Sequence, residues 1–119
     1  MERVRFVEHK GKKILYIDFS NCSEEEALAV IEGGKKQVRS QPEKSLLTLT
    51  NVNQAKYNSK VVEAFREFTK GNKPYVRAAA ITGLSKIKKM IFKAVKEFSQ
   101  RQLQEFSDEE KAMDWLVTQ

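Results

Sequence analysis

The stretch KILYIDFSNCSEEEALAVI, residues 13–31, indicates the fold class. Its first part, Lys13–Phe19, is rich in β-branched and aromatic residues and predicts a strand. A capping box follows at Ser23–Glu26, where the serine hydroxyl accepts from a first-turn N–H and Glu26 reaches back toward the cap. A stripe of apolar residues at helical spacing then extends to about Arg39. A strand followed by a capped helix is the repeating unit of α/β domains.

Further strands and helices alternate on both sides of this unit. Arg3–His9 alternates between apolar and polar residues, and the turn Lys10–Lys12 joins it to the next strand as a hairpin. Toward the carboxyl end, the patterns predict strands at Ser45–Thr50, Tyr75–Ile81 and Leu103–Phe106, with helices starting near Asn58, Ser85 and Ser107. This order, ββαβαβαβα, predicts a mixed, mainly parallel sheet with an N-terminal hairpin, one antiparallel edge strand and about four helices.

Glycine, proline and serine residues mark several predicted boundaries. We expect Gly71 at the C′ position of the second helix, Pro74 at the start of the fourth strand and Ser107 as the cap of the terminal helix. Gly33-Gly34 lies inside the first helix and weakens it. That pair indicates either the close approach of another element or a frayed helix end.

The composition is that of one globular domain. Of the 119 residues, 40% are hydrophobic and 32% charged, which argues against a disordered chain. The longest apolar run, Ala78–Ile81, is far shorter than the roughly 20 residues that span a bilayer, and the N-terminus lacks the apolar segment of a secretory signal. We therefore expect a cytoplasmic protein. Its formal charge of +6 favours acidic partners, although most such lysines form an ordinary solvated surface.

The residues that support catalysis or metal binding are scarce. Cys22 is the only cysteine and His9 the only histidine, so a disulfide, a CxxC site and a histidine triad are not expected, nor is a cofactor or metal. Cys22 before a helix start is either a reactive thiol or, more simply, a small buried side chain. Gly33–Lys36 lacks the leading glycine and trailing hydroxyl of a phosphate-binding loop. We therefore do not expect this protein to be an enzyme.

The order of elements and two blocks of sequence resemble the STAS superfamily, the anti-sigma-factor antagonist fold, in its SpoIIAA-like or SEC14-like branch. The blocks are Lys73–Ser85 and Phe106–Leu116; in the second, an acidic capping box precedes Ala112, Trp115 and Leu116 on one helix face. The resemblance is strongest in the last third of the chain. It implies a single STAS-like domain over residues 1–119.

In this family a phosphorylatable serine preceded by aspartate stands at the start of the second helix. The matching position here is Ser59, with Asn58 in place of the aspartate. The small residues that usually follow are replaced by Lys60 and Val61. The resemblance therefore implies a phosphosite at Ser59, whereas the residues alone describe an ordinary helix start. A phosphate there would lie at the positive end of the helix dipole.

Two surfaces are candidates for binding. The loop after the third strand lies where open α/β sheets bind ligands, and its candidate residues are Asn53, Lys56, Tyr57 and Asn58. The second is the predicted helix that begins at Ser85, with a basic face formed by Lys86, Lys89, Lys93 and Lys96 beside Phe92. That face is either solvated or suited to an anionic membrane or acidic partner. No motif indicates sequence-specific nucleic-acid binding.

The expected function is a non-enzymatic regulatory module that binds a protein through the loop before the second helix. The alternative, implied by the SEC14-like resemblance, is a carrier of a lipid or small hydrophobic ligand. A pocket of roughly 300 Å³ or more, lined by apolar residues, would favour the carrier. A solid core with an exposed apolar patch beside the loop would favour the binding module. A second copy of the chain, forming a homodimer, is a further partner to consider.

Overall fold

The computed structural model describes residues 2–84 and 102–119, and the strands in these ranges form one mixed sheet. The strands are β1 (Val4–His9), β2 (Lys12–Asp18), β3 (Leu46–Asn51), β4 (Val76–Thr82) and β5 (Leu103–Phe106). The helices are α1 (Glu24–Arg39), α2 (Ser59–Asn72) and α3 (Glu109–Leu116), with a short 3-10 helix at Lys73–Tyr75. The helix predicted from Ser85 to Phe98 lies outside the described residues.

The strands lie in the order β1-β2-β3-β4-β5. β1 is antiparallel to β2, and the other neighbouring pairs are parallel. The predicted mixed sheet with an antiparallel edge strand is therefore confirmed. In each parallel connection that the structure describes, the intervening helix runs opposite to the strands, so the ends of strands and the starts of helices meet at one edge.

Side chains alternate between the two faces of the sheet, and each face has its own core. On one face, Leu15, Ile17 and Ile81 pack under α1 and α2. On the other face, Ile14 and Leu49 pack under α3. These side chains are almost completely buried, because the parallel strands are covered on both faces. The buried apolar surface of the two cores is the main stabilising contribution.

α1 and α2 approach each other closely at Gly34. A Cβ atom at this position would lie 2.6 Å from the ring carbon Cζ of Phe68. Phe68 is itself buried, and its ring contacts that of Phe65, with the ring centroids 6.2 Å apart. The first interpretation of the Gly33-Gly34 pair, a close approach of another element, is correct for Gly34.

Three predicted boundaries are wrong by one to three residues. Gly71 is inside α2, which runs to Asn72, and the Arg39 guanidinium occupies the space that a side chain at Gly71 would need. Pro74 belongs to the 3-10 helix, where a residue without an N–H donor is tolerated, and β4 starts after it. The cap of α3 is Asp108 in place of Ser107, because Asp108 Oδ1 accepts from the backbone N–H groups of Glu110 and Lys111.

Polar contacts fix α3 to the hairpin. Asp114 Oδ1 lies 2.7 Å from His9 Nε2 and 2.8 Å from Lys10 Nζ. Hydrogen bonds from Lys10 and then from His9 hold the pKa of the Asp114 carboxyl below its ordinary value. The sole histidine thus joins the N-terminal hairpin to the last helix.

None of the helices within residues 2–84 and 102–119 has the length and apolar character needed to cross a bilayer.

Candidate functional site

Three strands end side by side at what we call the carboxyl edge of the sheet. Asp18 at the end of β2 pairs with Asn51 at the end of β3, and Asn51 pairs with Thr82 at the end of β4. The segments that follow these strands therefore start next to one another. In open α/β sheets this edge is where ligands and partners bind.

The loop between β3 and α2, Val52–Asn58, is held by backbone hydrogen bonds to both neighbouring segments. The Val52 N–H donates to Thr82 O at 3.0 Å, and Asn53 O accepts from the Asn21 N–H at 3.0 Å. The Lys56 N–H donates to Cys22 O at 3.1 Å. We call this segment the carboxyl-edge loop. Because its backbone bonds are satisfied by fixed elements, it presents its side chains on a rigid frame.

Gly83 allows the segment after β4 to lie very close to the carboxyl-edge loop. Its φ of +83° is in the left-handed region that favours glycine, and a Cβ atom would lie 2.5 Å from the backbone nitrogen of Asn53. The segment after β4 thus lies directly against the carboxyl-edge loop. Only a residue without a side chain satisfies both the backbone conformation and the contact.

The side chains predicted to form a binding surface are all exposed on or beside this loop, namely Asn53, Lys56, Tyr57 and Asn58, and so is the predicted phosphosite Ser59. Tyr57 retains 42% of its surface exposed, and among the described residues it shares such exposure of a large hydrophobic side chain only with Phe6. An exposed tyrosine on a rigid loop is a typical contact residue in protein interfaces.

Asn58 and Ser59 occupy the helix positions that the sequence predicts. Asn58 is the N-cap of α2, where its Oδ1 accepts from the Val61 N–H at 2.8 Å. Its Nδ2 donates to the Glu24 carboxylate at the start of α1. Ser59 is the first residue of α2, and its side chain is exposed. The starts of the two helices are therefore joined directly.

Charges of opposite sign meet at this surface. The first turn of α1 carries Glu24, Glu25 and Glu26, whereas the first turn of α2 contains no acidic residue. Lys56 and Lys60 lie exposed on either side of Ser59 in the sequence. A phosphate or carboxylate introduced at Ser59 would be attracted by these two cations and by the positive end of the helix dipole. It would be repelled by the Glu24 carboxylate.

Sequence reasoning missed a polar cluster behind the loop, on the face of the sheet that α3 covers. The Asn51 amide Nδ2 donates to Tyr16 Oη and to Glu109 Oε1, both at 3.1 Å. The Tyr16 hydroxyl donates to the same Glu109 oxygen at 2.8 Å, and Asn51 Oδ1 accepts from the Asn53 N–H at 2.9 Å. The Arg5 guanidinium lies 4.7 Å from the centre of the Tyr16 ring. Asn51 thus connects the base of the loop to α3.

The only sequence signal for this cluster is weak. Tyr16 lies in a strand whose neighbours are buried, and a buried tyrosine hydroxyl needs a hydrogen-bond partner. The partner, Glu109, is 93 positions further along the chain, so only the fold brings the two together.

Burial of Tyr16 raises the pKa of its hydroxyl to about 12. Because the neutral form is favoured in the folded state, this group stabilises the protein fully below the unfolded pKa of about 10. That contribution is lost as the pH rises from about 10 through 12. We expect the free energy of unfolding, measured by urea titration, to fall less steeply above pH 10 in Tyr16→Phe than in the wild type. Equal slopes for the two proteins would contradict this assignment.

The remaining candidate groups give no further site in the described ranges. Cys22 is completely buried, and burial raises the pKa of its thiol, so the small-buried-side-chain interpretation is correct. Within residues 2–84 and 102–119, no group of three or more His, Cys, Asp or Glu side chains is placed to hold a metal ion. The predicted basic face, Lys86, Lys89, Phe92, Lys93 and Lys96, lies outside the described residues.

A small cavity lies between α2 and the sheet. Its volume is about 40 Å³, and its walls include Thr48, Thr50, Phe65, Phe68, Asn72 and Leu103. Asn72 is 5% exposed, and its Oδ1 has no hydrogen-bond partner among the described residues. A space of this volume is well below the 300 Å³ or so of a typical ligand pocket.

Comparison with protein-family models, with curated proteins and with solved structures gives no match to this chain.

Proposed function

We propose that the chain is a STAS-like regulatory module that binds a protein partner through the carboxyl-edge loop, without catalysing a reaction. The resemblance of the blocks Lys73–Ser85 and Phe106–Leu116 is the basis of the family proposal. The mixed sheet with an antiparallel first strand, and the helix that begins directly after Asn58, agree with the order of elements that the resemblance implies.

The observation that carries the proposed function is the exposure of Tyr57 on a loop whose backbone is fixed. A rigid segment loses little conformational entropy when a partner binds, so more of the contact energy becomes affinity. Tyrosine adds a large amphipathic surface with few rotatable bonds. Lys56 precedes it, and Glu24 contacts the adjacent Asn58, so both signs of charge lie close to the ring, which favours a partner with complementary charges.

The cavity beside α2 is the reason we prefer a binding module to a lipid carrier. At about 40 Å³ it is too small for an acyl chain, and its walls include polar side chains such as Thr48 and Asn72. A carrier would need a larger apolar space between the sheet and the helices. The cavity beside α2 does not reach that size, which agrees better with an interaction through the surface.

The experiment that tests the proposed function is affinity capture with a matched pair of variants. The immobilised full-length chain is incubated with a lysate of its host, and bound proteins are identified by mass spectrometry. We expect Tyr57→Ala to lose a protein that the wild type retains, because truncation of an interface tyrosine commonly costs about 2 kcal/mol or more. Phe6→Ala, which removes the other exposed ring, should retain that protein. Identical sets of captured proteins for the two variants would contradict the proposal.

Ser59 provides a second prediction. If the position regulates binding, Ser59→Asp should change the affinity for the captured partner several-fold while the melting temperature stays close to that of the wild type. The stability is preserved because an acidic side chain in the first turn interacts favourably with the helix dipole, by about 0.3–1 kcal/mol. Ser59→Ala serves as the control for loss of the hydroxyl. Equal affinities for wild type, Ser59→Ala and Ser59→Asp would show that Ser59 is only a helix-start residue.

A further inference from the structure

The edge of the sheet opposite the loop is strongly basic. The parallel strands start there, and α1 and α2 end there, because each helix runs opposite to the strands. Eight exposed cationic residues lie on this edge, which we call the basic edge, and they are Lys12, Lys13, Lys36, Arg39, Lys44, Lys70, Lys73 and Arg77. No prediction from the sequence had placed them together, since they come from separate segments of the chain.

Contacts along this edge show that the segments lie side by side. The pairing of Leu15 with Thr48 places Lys13 beside the start of β3. The Lys44 N–H donates to Pro74 O at 3.0 Å, which joins the turn before β3 to the 3-10 helix that contains Lys73. The Arg39 guanidinium lies against Gly71 near the end of α2. The segments that carry the cations therefore lie side by side along this edge.

Acidic residues lie near two of these cations, because Glu8 is opposite Lys13 on the neighbouring strand and Glu43 precedes Lys44 in the turn before β3. Other lysines and arginines in the described ranges pair with carboxylates, as Lys10 does with Asp114, Lys35 with Glu32 and Arg66 with Glu63. None of the eight residues of the basic edge forms an ion pair within residues 2–84 and 102–119. The carboxyl edge carries both signs of charge, since the cations Lys56 and Lys60 lie there together with several acidic residues, namely Asp18, Glu24, Glu25, Glu26, Asp108, Glu109 and Glu110. Among the residues that the structure describes, the basic edge thus has the larger excess of positive charge.

The helix dipole accounts for only part of this arrangement. Lysine or arginine in the last turn of a helix is favourable, and Lys36, Arg39 and Lys70 occupy such positions. Lys12 and Lys44 do not lie on a helix, so the dipole does not explain them. An exposed set of like charges is unfavourable by self-repulsion unless a polyanion neutralises it.

We propose that the basic edge binds the phosphate backbone of double-stranded nucleic acid without reading its sequence. A duplex offers about one negative charge per 1.7 Å of its axis, which suits a surface of many separate cations. Neither Phe6 nor Tyr57, the large hydrophobic side chains exposed in the described part of the chain, belongs to this edge. The described part of this edge therefore presents neither the apolar insertion that strengthens membrane binding nor the ring on which single-stranded bases stack.

The test is fluorescence anisotropy of a labelled 20-base-pair duplex of mixed sequence, titrated with the full chain at several salt concentrations. We expect wild-type binding to weaken steeply with salt, because bound counterions are released from the phosphates. Lys44→Gln/Lys73→Gln should weaken binding about tenfold at low salt and lower the salt slope by about 2. Lys60→Gln/Lys111→Gln removes the same charge near the starts of α2 and α3 and should bind like the wild type, within about twofold.

Several outcomes would overturn the proposal. They are no duplex binding by the wild type at low salt, equal losses in the two double variants, or binding to phosphatidylserine vesicles without binding to the duplex. All four lysines are exposed, so both variants should fold, and equal melting temperatures would verify this. Duplex binding is independent of the protein binding proposed for the carboxyl-edge loop, because Tyr57→Ala should bind the duplex as the wild type does.

Discussion

Replacing Gly83 with alanine is expected to lower the free energy of unfolding by about 3 kcal/mol. Two effects add at this position. The φ of +83° is unfavourable for a residue with a Cβ atom, and the new methyl group would lie 2.5–2.8 Å from three atoms of Asn53, two of them in the backbone. The backbone cannot rotate away as a flexible side chain could, so the carboxyl-edge loop must move.

Gly11 provides the matched control for this prediction. It has the same φ of +83°, but a Cβ atom there would have no neighbour within 4 Å. Gly11→Ala should therefore cost only the conformational part, about 1 kcal/mol. Urea unfolding of the two variants separates the contributions. Equal decreases in the free energy of unfolding would show that only the φ of Gly83 requires glycine. The contact with the loop would then make no contribution to stability.

Leu116→Ala is expected to lower the free energy of unfolding by about 2–5 kcal/mol. Leu116 is completely buried, and it packs with Ala112 against Ile14 and Leu49 on the second face of the sheet. α3 has only 8 residues, so packing and not intrinsic helicity holds it in place. Loss of the isopropyl group beyond Cβ leaves a cavity that this short helix cannot refill from its own side chains.

The same substitution at a less buried leucine tests the role of burial. Leu28 on α1 is only partly buried at the margin of the other core. Leu28→Ala should therefore cost clearly less than Leu116→Ala, as thermal and urea unfolding of the two variants will show. A larger loss at Leu28 would contradict the assignment of Leu116 as the residue that holds α3 on the sheet.

Local patterns were sufficient to predict most elements of the fold. The capping box at Ser23 forms in full, with the serine hydroxyl accepting from the Glu26 N–H and the Glu26 carboxylate accepting from the Ser23 N–H. The strand Lys13–Phe19 and the N-cap at Asn58 are likewise set by nearby residues. Such features depend on contacts within a few positions, and a single sequence contains the whole of that information.

Features that depend on distant residues were not predictable in this way. α2 passes through Gly71, where a side chain from α1, Arg39, fills the space beside the glycine. Two acceptable caps stand next to each other at Ser107 and Asp108, and the helix uses Asp108. The Tyr16–Asn51–Glu109 cluster joins three separate segments, so its existence follows only from the strand order.

The same distinction applies to the two candidate surfaces. The carboxyl-edge loop could be located from the sequence, because it follows a predicted strand and precedes a predicted helix cap. Its rigidity could not, since the bonds from Asn21, Lys56 and Val52 connect it to segments before and after it. The basic edge could not be predicted from the sequence, because only the folded parallel sheet brings the ends of α1 and α2 beside the starts of β2 and β3.

The most direct test of the central claim is hydrogen–deuterium exchange of the full chain with and without the protein captured by the wild type. The claim predicts that side-chain contacts at Tyr57 bring the partner onto the carboxyl-edge loop. Backbone amides from Asn53 to Lys60 should then exchange more slowly in the complex, while those of β1 keep their rates. Protection confined to another surface, with unchanged exchange from Asn53 to Lys60, would contradict the account.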